Sequence, residues 1–115
     1  MPRNTLRLAL PLVASVLTGP ALAQSAQAPA IASSMDQMRT AMQTMDKNMM
    51  AGMQAGTPDQ IFAAMMIPHH QGAVDMSRIS LRDIKDPELR RMAEKTASEN
   101  EANIKELQAW QRKHR

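Results

Sequence analysis

Apolar and polar residues along this chain recur at three- and four-residue steps rather than in alternation, which predicts helices and no strands. Met35, Met38, Met42, Met45 and Met49 form one such series. It predicts a first helix from Ser34, with a capping box over Ser34-Met35-Asp36-Gln37, to about Ala51, where Gly52 and Gly56 act as stops. A second helix opens at Thr57-Pro58-Asp59-Gln60, with Thr57 as N-cap, Pro58 in the first turn and Gln60 completing the box. It runs to about Arg82, with Pro68 and Gly72 as weak points. Asp86-Pro87-Glu88 opens a third helix. There Leu89, Met92, Ala93, Thr96, Ala97, Asn100, Ile104, Leu107 and Trp110 make one stripe expected to be buried, with Glu101 and Lys105 paired on the wet side. Short connections favour antiparallel neighbours, so the expected fold is all-α: an antiparallel bundle of about three helices over residues 34–113. Three helices bury their stripes only partly, so self-association into a larger bundle is also expected.

The region ahead of the bundle reads differently. Arg3 and Arg7 precede an apolar run from Leu8 to Thr18, Gly19-Pro20 breaks it, and Ala21-Leu22-Ala23 supplies small residues. This is the layout of a signal peptide over 1–23, cleaved near Ala23, which directs the chain to the periplasm or outside the cell. The run is too short to span a bilayer, so no stable membrane insertion is expected after cleavage. Residues 24–33 read as a flexible Ala/Gln/Ser leader.

Removing Arg3 and Arg7 changes the charge argument. The 14 basic residues fall to 12 against 11 acidic ones. With Phe62 and Trp110 as the only aromatics besides histidine, no basic stripe with stacking residues remains, and nucleic acid is not an expected partner. The chain has no cysteine. An exported domain of this size often relies on disulfides, so this one must rely on packing, metal or self-association.

Twelve methionines stand out, nine of them between Met35 and Met66. A Met stripe at helical spacing packs well and serves as core. A seam built only to pack would favour Leu, Ile and Val, which define rotamers better, as the third helix does with Leu89, Ile104 and Leu107. Thioether sulfur is a neutral, soft donor that selects Cu(I), and Ag(I) by the same softness. An adaptable protein-binding groove is a third reading.

The segment "AAMMIPHHQGAVDM", residues 63–76, concentrates this chemistry. At the roughly 100° step of an α-helix, Met65, His69 and Met76 share a face with Ile61, Phe62 and Gly72, and Met66 and His70 lie on an adjoining one. Two i,i+4 pairs result, Met65/His69 and Met66/His70, each able to grip one ion. Pro68 removes a backbone N–H and is expected to bend the helix, opening room for a ligand. Gly72 would let another helix approach closely. Two adjacent histidines cannot both face one core, and each has an ordinary reading as a surface or hydrogen-bonded residue. His114, in the charged tail, is expected to be solvated.

Asp59-x-x-Phe62-x-x-Met65-Met66-Ile67-Pro68-His69-His70-Gln71-Gly72-Ala73-x-x-Met76 resembles the core motif of the domain-of-unknown-function 305 family. Asp86-Pro87-Glu88-Leu89 and Ile104-x-x-Leu107-x-x-Trp110 are similar to its third-helix pattern. Asn100 and Asn103 depart from it, standing where Gln and Glu are expected. The resemblance implies a ferritin-like helical bundle, and copper or silver binding in some exported members. It carries that implication onto Met65, Met66, His69, His70 and Met76.

The expected function is therefore an exported binder of Cu(I), with Ag(I) or Cu(II) as alternatives, that sequesters the ion or passes it to other periplasmic copper-handling proteins. Met65, Met66, His69, His70 and Met76 are the main candidate ligands, with Met42, Met45 and Met49 on the first helix as further soft donors. The alternative is a non-catalytic interaction module that docks a protein partner on its Met face. Catalysis is not expected. A ferritin-like di-iron site needs inward carboxylates with Glu-x-x-His pairs. Here only Asp59 and Asp75 lie near the candidate ligands, and no hydrolase motif occurs.

Overall fold

The computed structural model describes residues 21–115, and among them it contains three α-helices and no strand. These are α1 (Ala21–Gly52), α2 (Pro58–Ser80) and α3 (Pro87–Lys113). The expected signal peptide falls almost wholly outside the described residues.

Local chemistry explains two of the three helix starts. At α2, Thr57 Oγ1 accepts from the Gln60 backbone N–H at 3.3 Å, and Gln60 Oε1 accepts from the Thr57 N–H at 3.0 Å. At α3, the Asp86 carboxylate accepts from the Leu89 N–H at 2.8 Å, with Pro87 in the first turn. The reciprocal box at α2 and the single cap at α3 both satisfy donors that the first turn leaves free.

The first helix departs from expectation. It is helical from the first described residue, Ala21, well before Ser34, so residues 24–33 are helical rather than a flexible leader. Ala and Gln are good helix formers, and their propensity carries the helix through this segment. Ser34 therefore caps nothing. Gln37 instead donates from Nε2 to Ser33 Oγ, one turn earlier, at 3.2 Å.

The helices form a layer with α2 in the middle. Both α1 and α3 pack along α2, and among the described residues no Cα of α1 comes within 8 Å of one in α3. The α1–α2 seam is tight because glycine stands at two of its crossing points. A Cβ at Gly52 would lie 2.7 Å from the backbone carbon and oxygen of Ala64, and one at Gly72 would collide with Met45 Sδ. The α2–α3 turn is held by Arg90, whose guanidinium donates to the carbonyls of Leu81 at 2.8 Å and Ile84 at 3.0 Å. Those carbonyls follow the end of α2 and would otherwise lack partners.

Because α3 touches α2 alone, its stripe is only partly covered. Ala97 is buried and Ala93, Ile104, Leu107 and Trp110 are half-buried, but Leu89, Met92 and Thr96 are exposed, contrary to expectation. Glu101 pairs with Arg78 of α2 rather than with Lys105. Within α3 the i,i+4 pair is Lys95–Glu99 at 3.6 Å. Such exposed pairs orient the helices more than they stabilise them. Among the described residues, no helix is long and apolar enough to cross a membrane.

The two glycines are not equivalent. Gly52→Ala sets a methyl against backbone that cannot move aside, and it should cost about 1–3 kcal/mol through overpacking. Gly72→Ala meets the Met45 side chain, whose Sδ and Cγ can rotate aside although its Cβ cannot, and should cost less. Urea unfolding of the two variants against the parent checks the order; equal losses would mean that the α1–α2 approach is not limited by backbone contact at Gly52.

Candidate metal site

The contacts at the two glycines fix how α1 and α2 are aligned. Gly52 meets Ala64 and Met65, and Met45 meets Gly72. The helices run antiparallel, so Met49 falls opposite Pro68 and Met42 opposite Asp75. Met45 and Met49 are half-buried at this seam, as are Met65 and Met76 of α2. His69 is exposed, on the same side of α2 by helical spacing. The seam thus lines up two thioethers over about one turn of α1 and two over about three turns of α2, with one imidazole between the latter.

Not every Met of the predicted stripe is in the seam. Met38 is half-buried, but Met35 and Met42 are exposed. The series of threes and fours is wider than the contact line of one neighbour, so its outer members overhang. Met42 therefore stands at the edge of the candidate site, not inside it.

Met66 and His70 belong elsewhere. Both are half-buried, and His70 turns toward α3, where Nδ1 pairs with Asn100 Oδ1. The His69 and His70 rings have centroids 5.8 Å apart and planes 79° apart. Consecutive helical residues diverge by about 100°, so the pair serves two surroundings. The helix itself runs unbroken through Pro68.

Asn100 sets the chemistry of His70. Its Nδ2 donates to the Thr96 carbonyl at 2.8 Å, which turns its Oδ1 toward the ring. An oxygen can only accept, so His70 must donate from Nδ1–H. In the neutral ring this leaves Nε2 with a free lone pair, the form that binds metals. The ring borders an open cleft of about 580 Å³ between α2 and α3, also lined by Asp59, Phe62, Asn103, Glu106 and Trp110.

Spacing along the chain did not point to Asn100 as a partner of His70, or to Glu106 as a neighbour in its cleft. A signal for Asn100 existed, since an amide on a stripe of otherwise apolar residues needs a partner. Glu106 offered none, because its proximity to His70 arises only from the α2–α3 packing. Asp75, in contrast, is held by Gln71, whose Nε2 donates to it at 2.9 Å. His114 is exposed as expected, with its ring stacked on Trp110 at 4.4 Å.

Among the described residues, no three His, Asp or Glu side chains gather closely enough to hold a metal ion. The donors that do gather are mostly neutral sulfurs. Such a set is poorly matched to hard divalent cations, which take charged oxygen ligands, and better matched to soft monovalent ones.

The tautomer of His70 is directly measurable. Long-range ¹H–¹⁵N spectra, taken with the ring neutral, should show His70 as the Nδ1–H form, the minor one for a histidine side chain in water. Asn100→Leu should return it to mainly Nε2–H. An Nε2–H signal for His70 in the parent would show that Asn100 does not orient the ring.

No curated protein matches this chain. A family model described as a domain of unknown function (DUF305) matches residues 13–114, nearly its whole length. The motif around the two histidines, the Asp-Pro start of α3 and the helical layer all fall within that match. The chain belongs to the domain-of-unknown-function 305 family.

Proposed function

We propose that this protein is a non-catalytic binder of a soft monovalent cation, Cu(I) first and Ag(I) by the same chemistry, in the α1–α2 seam. The observation that carries this reading is the alignment that brings Met45 and Met49 beside Met65 and Met76, with His69 next to them. Thioethers bind without losing a proton and are not consumed by disulfide formation, which suits an oxidising compartment. Met49 and Met65 would hold one ion, with His69 adding a nitrogen donor from the exposed edge, and Met45 and Met76 would form a second soft site further along the seam. The protein would then sequester copper in the periplasm and release it to other copper-handling proteins. His70, with Nε2 free, would form a separate and weaker site with Met66, one that also accepts Cu(II).

The competing reading is a partner-docking module, favoured by the exposure of Met35, Met42, Met50 and Met53. Met-to-Leu substitution separates the two, because it keeps volume and apolarity while removing the sulfur. With Met45, Met49, Met65 and Met76 all changed to Leu, helicity and unfolding midpoint should be nearly retained. Cu(I) affinity, measured anaerobically against a competing chelator, should fall at least about 100-fold, or about 2.7 kcal/mol. His69→Ala should cost roughly tenfold. Unchanged Cu(I) affinity in the Leu variant would end the metal reading of the seam.

A further inference from the structure

We propose that the face of the helical layer carrying Phe62 and the outer methionines is an interface between two copies of this chain. This inference does not depend on metal binding.

A layer three helices wide has two faces, and here they differ in chemistry. On one, the α1–α2 groove is lined by Thr40, Thr44, Asp75, Arg78 and Arg82 over an apolar floor that includes Ile79, and the α2–α3 groove by Gln71, Arg78, Lys105 and Gln108 over Val74 and Ile104. Arg78 borders both grooves, so they lie on the same side of α2. On the other face, the α1–α2 groove is lined by Ile31, Met35, Met38, Ile79 and Ile84, and the α2–α3 cleft by Phe62, Leu107 and Trp110. One face is polar and ion-paired. The other is mainly apolar: Asp83 lies near one end, Asp59 and Glu106 near the other, and Arg39 and Asp46 lie on its α1 flank by helical spacing.

The large apolar side chains left half-exposed concentrate on that second face. Phe62 is 62% exposed, Met35 60% and Met92 57%. Ile31, Met42, Met53 and Leu89 follow by helical spacing on their own helices. Seven side chains of this size at half exposure present on the order of 700 Å², more than the roughly 300–600 Å² of the largest patch on a typical monomer. That area is close to the about 800 Å² that each partner contributes to a stable interface.

The interior points to the same conclusion. Among the described residues, Val74 is the one large side chain that is fully buried, and the other buried hydrophobics are Ala63, Ile79 and Ala97. A domain this small without disulfides needs more burial than that. A partner required for folding must be present whenever the chain is made, and a second copy meets that condition. Two layers stacked face to face about a two-fold axis give a closed six-helix bundle, with α2 against α2 at its centre. Such an isologous contact uses one self-complementary patch, and the α2 strip at its centre, from Phe62 to Ser80, carries no Asp, Glu, Lys or Arg on this side, so two copies can meet there without charge repulsion.

Sedimentation equilibrium of the full chain in a metal chelator tests this. The expected result is a dimer at micromolar concentration. Phe62→Glu and Met42→Glu should raise its dissociation constant at least about 100-fold, since each sets a carboxylate in the proposed contact where it would be desolvated. Thr44→Glu and Gln71→Glu, on the polar face, should leave it unchanged. If the glutamate variants unfold instead, cross-linking decides. The parent has no cysteine, so Phe62→Cys should be joined into dimers by a short thiol cross-linker and Gln71→Cys should not. A folded, monomeric parent would overturn the proposal, as would a dimer indifferent to Phe62→Glu or cross-linking that favours Gln71→Cys.

Discussion

The close approach of α1 to α2 organises this protein. Gly52 lies against the backbone of Ala64 and Met65, and Gly72 leaves room for Met45 Sδ. Two contact points on a pair of antiparallel helices leave no freedom to slide, so the alignment of every other residue follows from them. That alignment sets Met49 opposite Pro68 and keeps the sulfurs of both helices within one stretch of the seam. A longer side chain at either glycine would push the helices apart and separate the proposed ligands.

The central position of α2 has a second consequence. A helix with neighbours on two sides divides its residues into two sets, and consecutive residues fall into different sets. His69 and His70 are therefore adjacent in sequence but differ in environment. His69 stays exposed beside the sulfur seam, whereas His70 is turned toward α3 and held through Asn100. The proposed division into a soft site and a weaker mixed site rests on this split. It also gives Asn100 a reason to be polar on a stripe that otherwise packs, since its amide both bonds its own helix and orients a ring on another.

The same arrangement leaves α1 and α3 apart. Neither shields the other, so the outer flank of each stripe remains open on the face that also carries Phe62. The opposite face is closed by polar chemistry, including the Arg78–Glu101 pair and a hydrogen bond from the Arg82 guanidinium to Gln37 Oε1. One chain thus has an interior on one side only. The proposed pairing of two copies would turn the open face into a core.

Helix identity, the starts of α2 and α3 and the family were legible in the sequence, because each is governed by residues within a turn of one another. Thr57 and Gln60 satisfy each other, Asp86 caps its own first turn, and the paired-histidine motif is contiguous. That α1 does not start at Ser34 was not legible, because a cap signal there competes with the helix propensity of the Ala- and Gln-rich residues before it, and the longer run prevails. Periodicity identified which methionines share a side of α1 but not how much of that side a neighbour covers. Coverage depends on how many helices surround a stripe, which is a property of the packing. The same holds for the partners of His70 and Glu101, which lie on different helices from those residues. Sequence thus determined the elements and their chemical inventory. Tertiary structure alone decided which donors meet and which apolar side chains are left open, because both depend on the distance and alignment between helices.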